Sequence, residues 1–245
     1  MAEKLRVGII ETGLVSPPLD EDYPSYPSMF CLLMDEVDDT IHYETISVLQ
    51  GDSLPNPNKF DGYIITGSKY GVYDDDPWIV ALKDFVVAAD IAGRRQVGIC
   101  FGHQILAEAF GGKVEKSSKG WGVGIQKYEI AAGGPWMEGS RIAVGDTIKA
   151  PAMHQDQVVI PPSGAEVIVT SDFCRYAGFK ISDNAITYQF HPEFDEFYLE
   201  DLIKLRKGAI IPDDIADAGL ATIDGEDNRM DVAQWMVKHL KRDDG

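Results

Sequence analysis

The stretch Gln96–Gly112, QVGICFGHQILAEAFGG, restricts what this chain can fold into more than any other. Val97-Gly98-Ile99 reads as an apolar strand, and Cys100-Phe101-Gly102 as a sharp turn. Ile105, Leu106, Ala109 and Phe110 then fall on one face of a helix, which Gly111-Gly112 stop. A buried strand feeding directly into a helix is half of a βαβ unit, so a parallel sheet covered by helices is expected around it.

The chain before this stretch repeats the pattern. Leu5–Thr12 is a first apolar strand, Tyr26–Val37 an amphipathic helix, Ile41–Leu49 a second strand and Phe60–Ile65 a third. Trp78–Ile91 is the next helix, opened by Pro77 behind Asp74-Asp75-Asp76, which read as caps and dipole complements. Ser16–Pro27, rich in Pro, Asp and Tyr, is a loop that is long for a β–α connection, and either covers a site or makes a surface excursion.

After Gly112 the periodicity changes. Val114–Ala131, Ile142–Val144, Thr147–Ala150, Gln157–Ile160, Glu166–Thr170, Ala177–Ile181 and Ala185–Phe190 read as short strands between Gly, Pro, Asp and Ser turns. Pro151–Val158, between two of them, reads as a polar loop carrying His154, Gln155 and Asp156. Asp195–Lys207 is a helix with Phe197, Leu199, Leu202, Ile203 and Leu205 mostly inward. A short helix over Pro212–Leu220, an amphipathic one over Asp227–Leu240 and a frayed end at Lys241–Gly245 complete the chain. The expectation is one domain over residues 1–245 with a helical extension from about residue 206.

Cys100 sits where chemistry is favoured. A nucleophile at the apex of a strand–turn–helix is the arrangement of the G-x-S-x-G elbow, and Gly98-Ile99-Cys100-Phe101-Gly102 places a thiol there. Glycines on both sides suit a strained apex with close neighbours. The positive end of a helix favours a thiolate, and its free N–H groups, that of Phe101 first, suit an oxyanion. A cysteine nucleophile needs a base, and the base needs a group to orient it. Gln189-Phe190-His191-Pro192-Glu193 supplies both at the end of another apolar strand. His191 and Glu193, two apart in extended chain, point the same way, so Glu193 reaches one imidazole nitrogen while the other faces Cys100. Zinc held by Cys100, His154, His191 and Glu193 is conceivable by residue type, but no pair has metal-finger spacing and the triad explains the same residues.

The two motifs together, G-x-C-x-G-x-Q from Gly98 to Gln104 and H-P-E from His191 to Glu193, resemble the class I, triad-type glutamine amidotransferases over roughly residues 5–205. The family includes the glutaminase domain of GMP synthetase and its stand-alone relatives. The resemblance implies a flavodoxin-like, mostly parallel central sheet with helices on both faces and an additional antiparallel β region. It also implies a Cys100-His191-Glu193 triad that cleaves the γ-glutamyl amide of glutamine, or a related bond, through a thioester. By the same resemblance the loop Thr66-Gly67-Ser68 donates a backbone N–H to the oxyanion, although relatives carry Gly-Gly-Pro where this chain has Gly67-Ser68-Lys69. Gln104 matches the glutamine-contacting position. His154 and Asp156 match a His-x-Asp-x-Val segment near the bound substrate.

Composition narrows the remaining choices. An apolar content of 44% supports a core, and no run approaches a transmembrane span. Three cysteines without disulfide-like spacing, and an N-terminus that enters a strand directly, point to a reducing cytoplasm without a signal peptide. The net charge of −18 argues against a nucleic-acid partner. No Gly-x-x-x-x-Gly-Lys-Ser/Thr pattern occurs, so nucleotide chemistry within this chain is not expected, and the triad reading calls for no cofactor. Three functions remain: a free-standing hydrolase of small γ-glutamyl amides or peptides, a glutaminase subunit passing ammonia to a separate synthase partner, and a catalytically silent binding protein on the same scaffold.

Overall fold

Strands that are apolar on both sides need cover on both faces, and the chain supplies it by alternating strands with helices. The computed structural model describes residues 4–241. In order, it forms β1 (Arg6–Glu11), α1 (Tyr26–Asp35), β2 (His42–Ser47), β3 (Gly62–Ile65), α2 (Pro77–Ile91), β4 (Arg95–Ile99) and α3 (Phe101–Ala109). Then come β5 (Lys113–Lys116), β6 (Gly122–Ile130), β7 (Thr147–His154), β8 (Asp156–Ile160), β9 (Glu166–Thr170), β10 (Gly178–Lys180) and β11 (Ala185–Tyr188). Helices α4 (Glu196–Arg206), α5 (Asp213–Leu220) and α6 (Arg229–Lys241) follow.

The main sheet has nine strands in the order β2-β1-β3-β4-β11-β10-β9-β6-β7. The first five run parallel, in flavodoxin-like order. The last four join antiparallel. β5 and β8 make a separate antiparallel pair. The side-chain period of two sorts the parallel strands between two cores. Val7, Ile9, Ile64, Val97 and Ile99 pack with Phe30 and Met34 of α1 and with Trp235, Met236 and Leu240 of α6. Ile10, Tyr63 and Ile65 pack on the other face with Leu82 and Phe85 of α2 and Ile105 and Leu106 of α3. A third cluster joins Tyr198, Leu202 and Ile203 of α4 to Val123 and Ile125 of β6, to Val15 beyond β1 and to Tyr26 at the start of α1. α6 lies against α1 and β4, so the expected C-terminal extension covers one face of the sheet.

Several local expectations are corrected. Ile142–Val144 is not a strand; it lies in a turn segment between Gly139 and Gly145, both at positive φ. Val114–Ala131 is two strands, because the chain leaves β5 at Lys116 for the small sheet's edge and enters the main sheet at Gly122. Pro151–Val158 is not a loop: β7 runs to His154 and β8 starts at Asp156, leaving Gln155 alone at the bend. Phe197 and Leu205 are 63% and 38% exposed, because α4 turns only the face carrying Tyr198, Leu199, Leu202 and Ile203 inward. Asp76 sits at the N-cap of α2 but makes no side-chain capping bond, and Asp74 instead accepts from the Gly71 N–H. The expected fraying falls on residues 242–245, outside the described residues, whereas Lys241 ends α6 and pairs with Asp38. No helix among the described residues is long and apolar enough to cross a membrane.

Candidate active site

β4 and β11 are parallel neighbours whose registered ends are Ile99 and Tyr188, so the residues just beyond them emerge on one rim. Cys100 is the first, with φ 53° and ψ −100°, the one positive φ outside glycine among the described residues. The conformation is held from both sides: its N–H donates to Tyr188 O at 2.8 Å, and its carbonyl accepts from Gln104 N at 3.0 Å. The flanking glycines are needed for contact. A Cβ on Gly98 would meet Gly102 O at 2.5 Å, and one on Gly102 would meet Ile65 O at 2.2 Å. The turn therefore packs backbone on backbone, with the Gly102 N–H donating to Thr66 O. Cys100 occupies the N-cap of α3, and the N–H of Phe101, the first residue of that helix, has no intrahelical acceptor.

His191 and Glu193 lie across this rim, both 4% exposed. The imidazole Nδ1–H donates to Glu193 Oε1 at 2.7 Å, which leaves Nε2 for another partner. Phe194 stacks on the ring, with centroids 4.1 Å apart and planes 5° from parallel, and fixes its plane. Burial alone would depress the imidazole pKa, but the Glu193 carboxylate and Cys100 more than reverse this and raise it to about 10. Gly67 lies between the groups: a Cβ there would meet His191 Cε1 at 2.7 Å and Cys100 Cβ at 3.7 Å. Its loop is tied down by Thr12, whose hydroxyl donates to Thr66 O at 2.8 Å and to Gly67 O at 3.2 Å. Cys100, His191, Gly67 and Ser68 thus share one cleft of about 380 Å³, counting the solvent at its mouth.

Gln104, His154 and Asp156 are brought together, but as a cluster that does not line this cleft. The Gln104 amide donates to Asp156 O at 2.9 Å and to Gln189 Oε1 at 3.1 Å. The Asp156 carboxylate accepts from the Tyr73 hydroxyl at 2.7 Å. His154 donates from Nδ1 to Asp156 O at 3.2 Å, and its Nε2 is buried without a partner in the structure. Burial holds its pKa down at about 4, so it is neutral, and His191 adds to that depression. The cleft is also lined by residues that the sequence did not single out, among them Tyr26, Lys69, Phe194 and Arg206. Phe194 had a signal, its position directly after His-Pro-Glu. No three His, Cys, Asp or Glu among the described residues are grouped so as to hold a metal ion.

A strained cysteine facing a carboxylate-bound histidine on a flavodoxin-like sheet defines a class, and comparison with known proteins gives the family. The family model "Glutamine amidotransferase class-I" matches residues 53–197, more than half of the chain. The chain belongs to the class-I glutamine amidotransferase family. It is 26% identical over 228 residues to gamma-glutamyl peptidase 3 of Arabidopsis thaliana, covering 91% of this chain and 90% of that one. It is 29% identical over 151 residues to one of the subunits of the glutamine-hydrolysing GMP synthase of Sulfolobus acidocaldarius, covering 61% of this chain and 76% of that one. A glutamine amidotransferase structure from Thermotoga maritima superposes with a TM-score of 0.74 at 18% identity, over 97% of this chain and 96% of that one.

Proposed function

We propose that the protein hydrolyses the γ-glutamyl amide bond of a small γ-glutamyl amide or peptide through a cysteinyl thioester. The observation that carries this reading is the strained Cys100 facing an imidazole whose other nitrogen donates to Glu193 at 2.7 Å. In the proposed reaction the Cys100 thiolate adds to the γ-carbonyl carbon. The resulting oxyanion accepts hydrogen bonds from the N–H of Phe101 and from a backbone N–H of the Gly67-Ser68 turn, each such donor contributing roughly 3–4 kcal/mol. The tetrahedral centre collapses as the His191 imidazolium gives its Nε2 proton to the departing amine, leaving a γ-glutamyl thioester and neutral imidazole. Water then attacks the thioester and loses its proton to His191, and collapse expels glutamate and restores the thiolate–imidazolium pair. Glu193 holds the ring and stabilises its cation in both halves. Every proton passes through one imidazole, so the scheme needs no cofactor.

In this reading His154, neutral and buried, together with Gln104 and Asp156, supports the glutamyl side of the site through the β7–β8 bend. The likeness to a γ-glutamyl peptidase over nine-tenths of both chains favours an amino-acid or peptide leaving group over ammonia. The likeness to a GMP synthase component favours a second reading, a glutaminase that supplies ammonia to a separate synthase. The deciding experiment incubates the purified chain alone with glutamine and a panel of γ-glutamyl amides and dipeptides, and measures glutamate and free amine. The hydrolase reading expects turnover without a partner. No turnover with Cys100 still alkylatable would move the assignment to the partner-dependent glutaminase. Silence together with an unreactive Cys100 would leave a binding protein.

A further inference from the structure

No carboxylate side chain lines the cleft at Cys100, although the chain carries 40 Asp and Glu against 22 Lys and Arg. Apart from His191, the charged side chains that line it are two cations, Lys69 and Arg206. Arg206 is half-buried in the last turn of α4. Its neighbours on that turn are paired, Lys204 with Glu200 and Asp201, and Lys207 with Asp217. Arg206 forms no ion pair among the described residues. Lys204 and Lys207 already put positive charge at the end of the helix, so the helix dipole does not require a third cation there. A half-buried guanidinium without an ion-pair partner, lining a cleft, is a site for an anion.

The position of Arg206 says which anion. It shares the cleft with Leu202, Phe194 and Tyr26, on the side where Phe194 stacks on His191. Arg206 lines the same cleft as Cys100 and His191, and the Tyr26 phenol beside it lies within electrostatic reach of Arg206 as well as of Glu193 and Cys100. The Gln104–His154–Asp156 cluster, assigned above to the glutamyl side, does not line this part of the cleft. His191 delivers its proton to the departing amine, so the groups around His191 face the leaving group. We propose that Arg206, with Lys69 at the mouth, forms a subsite for a carboxylate on the leaving group, so that the substrates are γ-glutamyl amino acids or peptides with a free C-terminal carboxylate rather than glutamine or γ-glutamyl alkylamides. This rests on the hydrolase reading for its chemistry and on Arg206 alone for its specificity.

The test separates the two. γ-Glutamyl-alanine and γ-glutamyl-alaninamide have the same glutamyl half and differ in charge on the leaving side. Their binding to Cys100→Ala protein is measured by calorimetry. The carboxylate compound is expected to bind about tenfold more tightly, the worth of one charge-assisted contact in a half-open cleft. Adding Arg206→Gln should bring the ratio of the two dissociation constants towards one. Arg206→Lys should restore part of it, and Lys207→Gln, which removes a paired surface cation, should leave it as it was. Equal binding of the two compounds, or a ratio that survives Arg206→Gln, overturns the subsite. So does an equal weakening of both compounds in Arg206→Gln, which would place the guanidinium on the glutamyl α-carboxylate. Turnover of the same pair by the wild-type chain reports separately on hydrolysis: discrimination in binding without cleavage would keep the subsite and discard the hydrolase.

Discussion

Cys100 holds a backbone conformation that side chains other than glycine avoid, and the hydrogen bonds from Cys100 N to Tyr188 O and from Gln104 N to Cys100 O keep it there. It is also the one thiol facing a cationic imidazole. Burial pushes the Cys31 thiol up to about 11 and the Cys174 thiol to about 12, so both stay protonated near neutrality. Iodoacetamide at pH 7.5 should therefore label Cys100 first, read by mass spectrometry of the peptides, and even labelling of all three would contradict an activated nucleophile. Glu193→Gln should slow that labelling and lower kcat by about 10³–10⁴, the loss seen when the orienting carboxylate of a triad becomes an amide. A fall of less than tenfold would remove Glu193 from the role proposed for it. Cys100, His191 and Glu193 were legible in the sequence because each sits just past an apolar strand. Gln104 was legible as a position but not in its contacts. Its amide turns to Asp156 O and Gln189, because α3 buries that face against β8, and no pattern in the helix announces that neighbour. Tyr26 and Arg206 come to the cleft from elements far apart in sequence, and only the fold shows that they share it.

At the scale of elements, the parallel half of the sheet was legible because β1, β3, β4 and β11 each carry an apolar run and lead into an α-helix, whereas β2 passes to β3 without one. β9, Glu166–Thr170, falls where alternation put it. The antiparallel half was less legible. A stretch such as Val114–Ala131 is uniformly β-forming, yet it divides between two sheets at residues 117–121, and β propensity does not encode partner choice. Ile142–Val144 has strand-forming residues but no edge to join between two left-handed glycines. The join of β4 to α3 gives the sharpest element-level expectation. Alanine replacing glycine inside a helix ordinarily stabilises by about 1 kcal/mol. At Gly102 the added carbon would lie 2.2 Å from the Ile65 carbonyl oxygen, backbone against backbone, so α3 would have to move off β3. Gly102→Ala should therefore lower unfolding stability by about 2–4 kcal/mol in urea titration, against the sign of helix propensity. A neutral or stabilising result would mean that α3 is free to shift along the sheet.

For the whole molecule, stability against pH is set by buried groups more than by the net charge of −18, because exposed charges are screened at physiological salt. His191 has a folded pKa raised to about 10, so its stabilising contribution is complete below about 6.5, its unfolded value, and is lost as pH rises through 10. His103 and His154 act in the opposite sense. Burial lowers them to about 3 and about 4, with His154 adding to the depression at His103. Below pH 6.5 the unfolded chain takes up protons that these two rings refuse in the folded state, so stability falls with acid until about pH 3–4. His103 offers a clean measurement. Its ring stacks on Phe179 with centroids 5.3 Å apart, and its Nδ1 meets the Thr187 hydroxyl at 2.8 Å. Thr187 Oγ1 also accepts from the Phe179 N–H at 3.2 Å, so it keeps a partner when the imidazole is replaced. His103→Phe keeps the stack and removes the titration. Between pH 7 and pH 5 the wild-type chain should lose about 2 kcal/mol more stability than this variant, the cost of one buried ring that stays neutral while its unfolded counterpart charges. Urea midpoints at the two pH values, at constant ionic strength, give the difference directly. Parallel loss in both proteins would show that His103 accepts its proton in the folded state, and that the face of α3 behind Cys100 is open to water.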